Sequence, residues 1–192
     1  MSRAVSTTGT PSAGRALVRG AVAGVVASLV MAMYAMGAAW VEGTGFFTPL
    51  HHIASLWAPQ ESMMTSMQEA TSGNDFQLSA GTALLGAVIH MMTGAMYGAV
   101  FGLVVSRLRL GRGAQLVVGV GYGGLVFLAS AFVGLPLAAA IFDAGDPISN
   151  MAEMAGWWTF AIEHLLFGLA LGALAARAHQ HADTPLESAA PH

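Results

Sequence analysis

Two histidines recur in the same apolar setting. His90 opens the run His-x3-Gly-x3-Gly-Ala through Gly94, Gly98 and Ala99, and His164 opens the same run through Gly168, Gly172 and Ala173. A pair of imidazoles at matched positions offers three kinds of chemistry. It can ligate a metal, since imidazole suits zinc, copper and iron. It can hold haem b as a bis-histidine site, with glycines one turn away leaving room for the macrocycle. It can also form part of a proton or ion path with Glu163, the one acidic residue inside an otherwise apolar run. A carboxylate at the centre of a membrane helix costs about 2.5–3.5 kcal/mol on insertion scales, so Glu163 is expected to face the bundle interior, water or a partner. The plainer reading is a hydrogen-bonded pair of structural histidines beside an acid that reaches the outer interface.

Sulfur adds a softer option. The chain has 12 Met. Met63, Met64, Met67, Met151 and Met154 fall outside the uncharged runs or at their edges, and Met91 follows His90. Met-x2-Met spacing, as in Met64–Met67 and Met151–Met154, places two thioethers on one helix face. Thioethers select Cu(I). Together with His51, His52, His90 and His164, residues Met91, Met64 and Met67 outline a copper site on the outer side. Methionine also fills gaps in apolar packing, and a chain with no cofactor at all fits the same residues.

The elements that must position these groups follow from a shortage of charge. Of 192 residues, 55% are hydrophobic and 9% charged, against about 25% charged in ordinary soluble domains. Mean hydropathy is +0.64. A soluble enzyme, a nucleic-acid partner and a disordered regulator are excluded on that ground. Zero Cys removes disulfides, thiolate catalysis and iron–sulfur clusters. Crossing a bilayer takes about 20 mostly apolar residues, and four stretches qualify, near 18–40, 80–106, 114–137 and 156–176. The first exceeds the roughly 7–15 residues of a signal-peptide core and is read as a retained helix.

Arginine sets the orientation. All seven basic residues are Arg, and Arg3, Arg15, Arg19, Arg107, Arg109, Arg112 and Arg177 fall on one side of these spans. The opposite loops hold Glu42, Glu61, Glu69, Asp75, Asp143, Asp146 and Glu153 with no Arg. By the positive-inside tendency both termini are cytoplasmic. At 1.5 Å per residue, His90 and His164 then stand roughly 25 and 20 Å above the arginine rim, in the outer half of the membrane.

Between the spans, Thr48-Pro49 reads as an N-cap followed by proline at the first helical position. Phe46, Leu50, Ile53 and Trp57 recur at helical spacing while His51, His52 and Ser55 fall elsewhere. An amphipathic helix near 49–58, lying in the outer interface, is expected. Pro136 is expected to end or kink the third span. The segment 178–192 reads as a mobile cytoplasmic tail. Gly86, Gly94, Gly98 and Gly102 in span two, and Gly168 and Gly172 in span four, lie four residues apart. Such stripes serve close helix packing, either within one chain or in a homodimer. The shared histidine motif admits duplication of a two-span hairpin, or convergence on glycine-rich packing.

The run Ile89-His90-Met91-Met92-Thr93-Gly94-Ala95-Met96-Tyr97-Gly98-Ala99-Val100-Phe101-Gly102, with Gly121-Tyr122-Gly123, Gly134-Leu135-Pro136-Leu137 and His164-Leu165-Leu166-Phe167-Gly168-Leu169-Ala170-Leu171-Gly172, resembles helices of small bacterial four-span membrane proteins of the YagU-like kind. The resemblance implies the four-helix layout and the bacterial cytoplasmic (inner) membrane, and supplies no activity, substrate or catalytic residue. The sequence thus reads as an all-α, polytopic four-transmembrane-helix bundle in one domain, 1–177. Its expected role is non-enzymatic. The alternatives are a metal- or haem-binding membrane protein and a small ion or solute transporter.

Overall fold

Helix backbones approach closely only where side chains are small, and glycine pairs up the four long helices of this protein. In a computed structural model, which describes residues 12–108 and 110–183, α1 (Ala13–Val41) packs along α4 (Ala80–Val105). The third span runs from Arg112 to Phe142 as α5 (Arg112–Ala129), a π-helical turn (Ser130–Gly134) and α6 (Leu135–Phe142). α5 packs along α9 (Trp157–Asp183), whose apolar part is Trp157–Ala178. Between α1 and α4 lie α2 (Thr48–Ala54) and α3 (Glu61–Thr71). Between α6 and α9 lie α7 (Gly145–Ser149) and α8 (Met151–Met154). The fold is all-α, with four helices long and apolar enough to cross a membrane.

Both pairs use one register. A Cβ on Gly24 would run into the backbone of Gly94, and one on Gly94 into Gly24 and Ser28. In the second pair, Gly119 meets Gly168, and Gly168 meets Gly119 and Gly123. Gly98 lies on the carbonyl of Gly20 as Gly172 lies on that of Gln115. Spans one and three, which align poorly as sequences, therefore offer equivalent backbone positions to their partners. Gly86 meets the carbonyl of Leu50 in α2. Every stripe glycine named above is thus in contact within its own chain.

The pairs meet unevenly. α1 packs closely against α9, whereas α4 and α5 touch only sparsely. Across that seam Tyr122 donates its hydroxyl to the Tyr97 carbonyl at 2.8 Å. Ala27, Met31, Phe101, Val105, Phe167 and Leu171 form a buried core. Val22, Val26, Leu84, Val117 and Leu125 face outward, which suits contact with a lipid bilayer.

Four expectations need correction. α2 is shorter than 49–58 and covered on both sides: Thr48, His51, His52 and Ser55 are buried and Leu50 and Ile53 also face inward, while Trp57 is 52% exposed. The polar side faces inward because backbone groups await it there, as described below. Phe47 is the N-cap, and Thr48, inside the helix, donates to Thr44 O at 2.6 Å. The third span continues past Pro136 to Phe142. The wide π turn directly before the proline accommodates its missing N–H and its ring, and Asp143 in the left-handed region (φ 53°) ends the helix. Finally, α9 reaches Asp183, so the first residues of the expected tail are helical. Residues 184–192, Arg3 and Arg109 lie outside the described residues.

Candidate functional site

Above the buried core the helices part around a cavity of about 390 Å³. All four spans line it, and α2, α7 and α8 contribute to its outer wall. Its surface is mostly apolar. Six methionines contribute: Met31 and Met36 from α1, Met67 from α3, Met96 from α4, and Met151 and Met154 from α8. Phe160 and Phe167 of α9 add aromatic faces, and Phe167 also belongs to the core that closes the inner end.

The histidines of the repeated motif meet here. His90 and His164 both line the cavity, and each ring is fixed by a backbone carbonyl. His90 Nε2 donates to Ser28 O at 2.9 Å, linking α4 to α1. His164 Nδ1 donates to Phe160 O at 2.7 Å, one turn earlier in the same helix. A carbonyl only accepts, and a neutral imidazole carries one N–H. Each bond therefore assigns the tautomer, leaving a lone pair on His90 Nδ1 and on His164 Nε2. The His164 ring also leans on Phe160, with centroids 4.4 Å apart.

Glu163 lies beside them on the lining, 6% exposed. Its Oε1 is 3.7 Å from His164 Nδ1, too far for a hydrogen bond. A turn of about 100° separates neighbours on a helix, yet both side chains reach the same space because the cavity is broad.

The outer histidines have different tasks. His52 lines the cavity and donates from Nε2 to Pro147 O at 2.7 Å, tying α2 to α7. His51 lies off the cavity. Its Nε2 accepts the backbone N–H of Ser79, the N-cap of α4, at 3.2 Å. Its proton is then on Nδ1, which is buried without a partner among the described residues. Burial lowers the pKa of both rings below the ordinary imidazole value, and for His52 the bond to the Pro147 carbonyl opposes it. Thr48 and Ser66 complete the inward polar side with a hydroxyl pair at 2.7 Å.

Of the metal-ligand candidates, the structure thus gathers His52, His90, His164 and Met67 on one cavity. Met91 and His51 lie off it, and Met64 is 59% exposed on the outer surface. No three His, Asp or Glu side chains among the described residues could hold one metal ion together. Ser28, Thr93, Tyr97 and Met31 also line the site. Ser28 follows Gly20 and Gly24 at four-residue spacing; the others carry no signal beyond ordinary span composition.

Compared with profiles of known protein families, with curated proteins and with solved structures, the chain gives no match.

Proposed function

We propose that this is a multi-pass protein of the bacterial inner membrane, with both termini cytoplasmic, that holds a small and largely apolar molecule in the outer half of its bundle and does no covalent chemistry on it. The observation that carries this reading is the cavity itself. Its size falls within the roughly 300–1,000 Å³ of small-molecule sites, and its apolar lining with few convergent polar groups is the pattern of such sites. The orientation rests on the arginine side of the spans, five of whose seven members are among the described residues.

Native mass spectrometry of the detergent-purified protein, with and without Ala138→Phe, tests it. Ala138 lines the cavity, and the larger ring fills it. The wild type is expected to carry one added hydrophobic molecule per chain and the variant none. Equal loading of both would refute the cavity as the site.

A second reading, copper capture, has its own support: imidazoles whose N–H groups are held by backbone carbonyls are oriented as metal ligands are, and thioethers share their cavity. Cu(I) titration against a chelator, with His90→Ala and His164→Ala, decides it. Copper binding unchanged by both substitutions would eliminate it. A Soret band in the same preparations reports haem b.

A further inference from the structure

The walls of this cavity accept hydrogen bonds and have few hydrogens left to give. Ser28 donates its hydroxyl to Val25 O at 2.8 Å, Thr93 to Ile89 O at 2.9 Å, and Thr159 to Glu42 Oε1 at 3.1 Å. His52, His90 and His164 each donate to a carbonyl. The Tyr97 and Ser130 hydroxyls, 3.4 Å apart, are the exception. What remains from the three rings is lone pairs, and Glu163, when ionised, adds only acceptors.

Charge runs the same way. Glu42 at the outer rim and Glu163 deeper in are both on the lining, and it includes no Arg or Lys. The outer loops add six further acidic residues and no basic ones, a distribution that concentrates cations at the mouth. A buried carboxylate is costly unless paired. The nearest ionisable neighbour of Glu163, His164, has already given its Nδ1 hydrogen to Phe160.

We propose that the cavity receives an amphiphile headed by a primary ammonium, with Glu163 as its counter-ion and the apolar walls around its chain. An ammonium brings three donors and no acceptor, complementing Glu163 and the free nitrogens of His90 and His164. Tyr97, Phe160 and Phe167 line the cavity as well, and aromatic rings attract cations. A carboxylate or phosphate head without an ammonium would meet two carboxylates and, among the described residues, no Arg on the lining. This assignment rests on the cavity-binding reading above and narrows it to one class of ligand. The ammonium can belong to a free alkylamine or to an ethanolamine lipid.

Native mass spectrometry in a non-ionic detergent, titrating dodecylamine, dodecanol, dodecanoate and lysophosphatidylethanolamine, tests it. Dodecylamine is expected to bind one per chain, at least about tenfold more tightly than dodecanol, since close charge pairs couple by 1.5 kcal/mol or more. Glu163→Gln is expected to bring the amine down to the level of dodecanol while leaving dodecanol binding unchanged. Tight binding of lysophosphatidylethanolamine as well as, or in place of, the free amine identifies a lipid headgroup as the source. Dodecanol or dodecanoate binding as tightly as both ammonium ligands overturns the ammonium assignment and leaves the cavity reading standing. A preference that survives Glu163→Gln also overturns it. No binding by any of the four, in a wild type that keeps its thermal transition, overturns both.

Discussion

His52 Nε2 donates to the carbonyl oxygen of Pro147 at 2.7 Å, so the first outer segment is fastened to the second directly beside the cavity. The two residues are 95 positions apart, and the bond joins the two glycine-packed halves where their outer helices meet. His52→Phe removes it with little change in volume. Leaving a buried acceptor unmatched costs about 1–3 kcal/mol. Hydrogen exchange in α2 and α7 is expected to accelerate while α1 and α4 stay protected. Unchanged exchange in α2 would show that the bond does not hold the cover.

Acid should loosen the same cover through His51. Its pKa in the folded protein is lowered by burial, so the unfolded chain binds more protons at intermediate pH. Stability from the neutral ring is present above the ordinary value of 6.5 and is lost as pH falls through it toward the lower folded value. Protonation also places a hydrogen on Nε2, facing the Ser79 N–H that it now accepts. A melting temperature that declines below that pH, and declines less in His51→Gln, is the expected result. His52, also lowered, keeps its Pro147 bond when protonated and should contribute the smaller part.

Glycine substitutions should separate packed from open positions. A Cβ at Gly98 would collide with Gly20 and Gly24 backbone, while Gly121 has open space around it. Overpacking costs about 1–3 kcal/mol even where side chains can adjust, and backbone cannot. Gly98→Val and Gly172→Val are expected to lower thermal stability in detergent by at least that much. Gly121→Val should stay near wild type. Equal losses at all three would contradict the close approach of the paired helices.

Glu163 is expected to trade stability for binding. Replacing an intramembrane acid by an apolar residue recovers part of an insertion cost of about 2.5–3.5 kcal/mol. Glu163→Leu should therefore unfold at a higher temperature than wild type while losing ligand selectivity. A lower transition would mean that the carboxyl makes a stabilising contact within the chain.

The spans were legible because lipid imposes a coarse rule: about 20 residues without charge, with arginine collected on one side. The shared site of His90 and His164 was legible too, since the same motif on two helices sets them at one depth. Orientation inside the outer segments was not. Phe46, Leu50, Ile53 and Trp57 describe a stripe, yet a stripe does not say whether the opposite side meets water or backbone. For His51 and His52 it meets the Ser79 N–H and the Pro147 carbonyl, so the helix is covered on both sides. Nor does Met-x2-Met spacing say which sulfur enters a cavity: Met67 does and Met64 does not, while Met151 and Met154 both do. α3 carries a weak signal because Glu61–Thr71 mixes three Met and one Ala among polar residues, and only Met63, Ser66 and Ala70 of it are buried.

The unequal seams have a mechanical consequence. Glycine-to-carbonyl contacts interlock α1 with α4 and α5 with α9, so neither pair can slide without lifting apart. The close α1/α9 contact then acts as a spine, and the α4/α5 seam, bridged by Tyr122 and Tyr97, is the loose edge. The same four helices thus form one tight junction and one loose one, and separation of the two halves would begin at the α4/α5 seam rather than between α1 and α9.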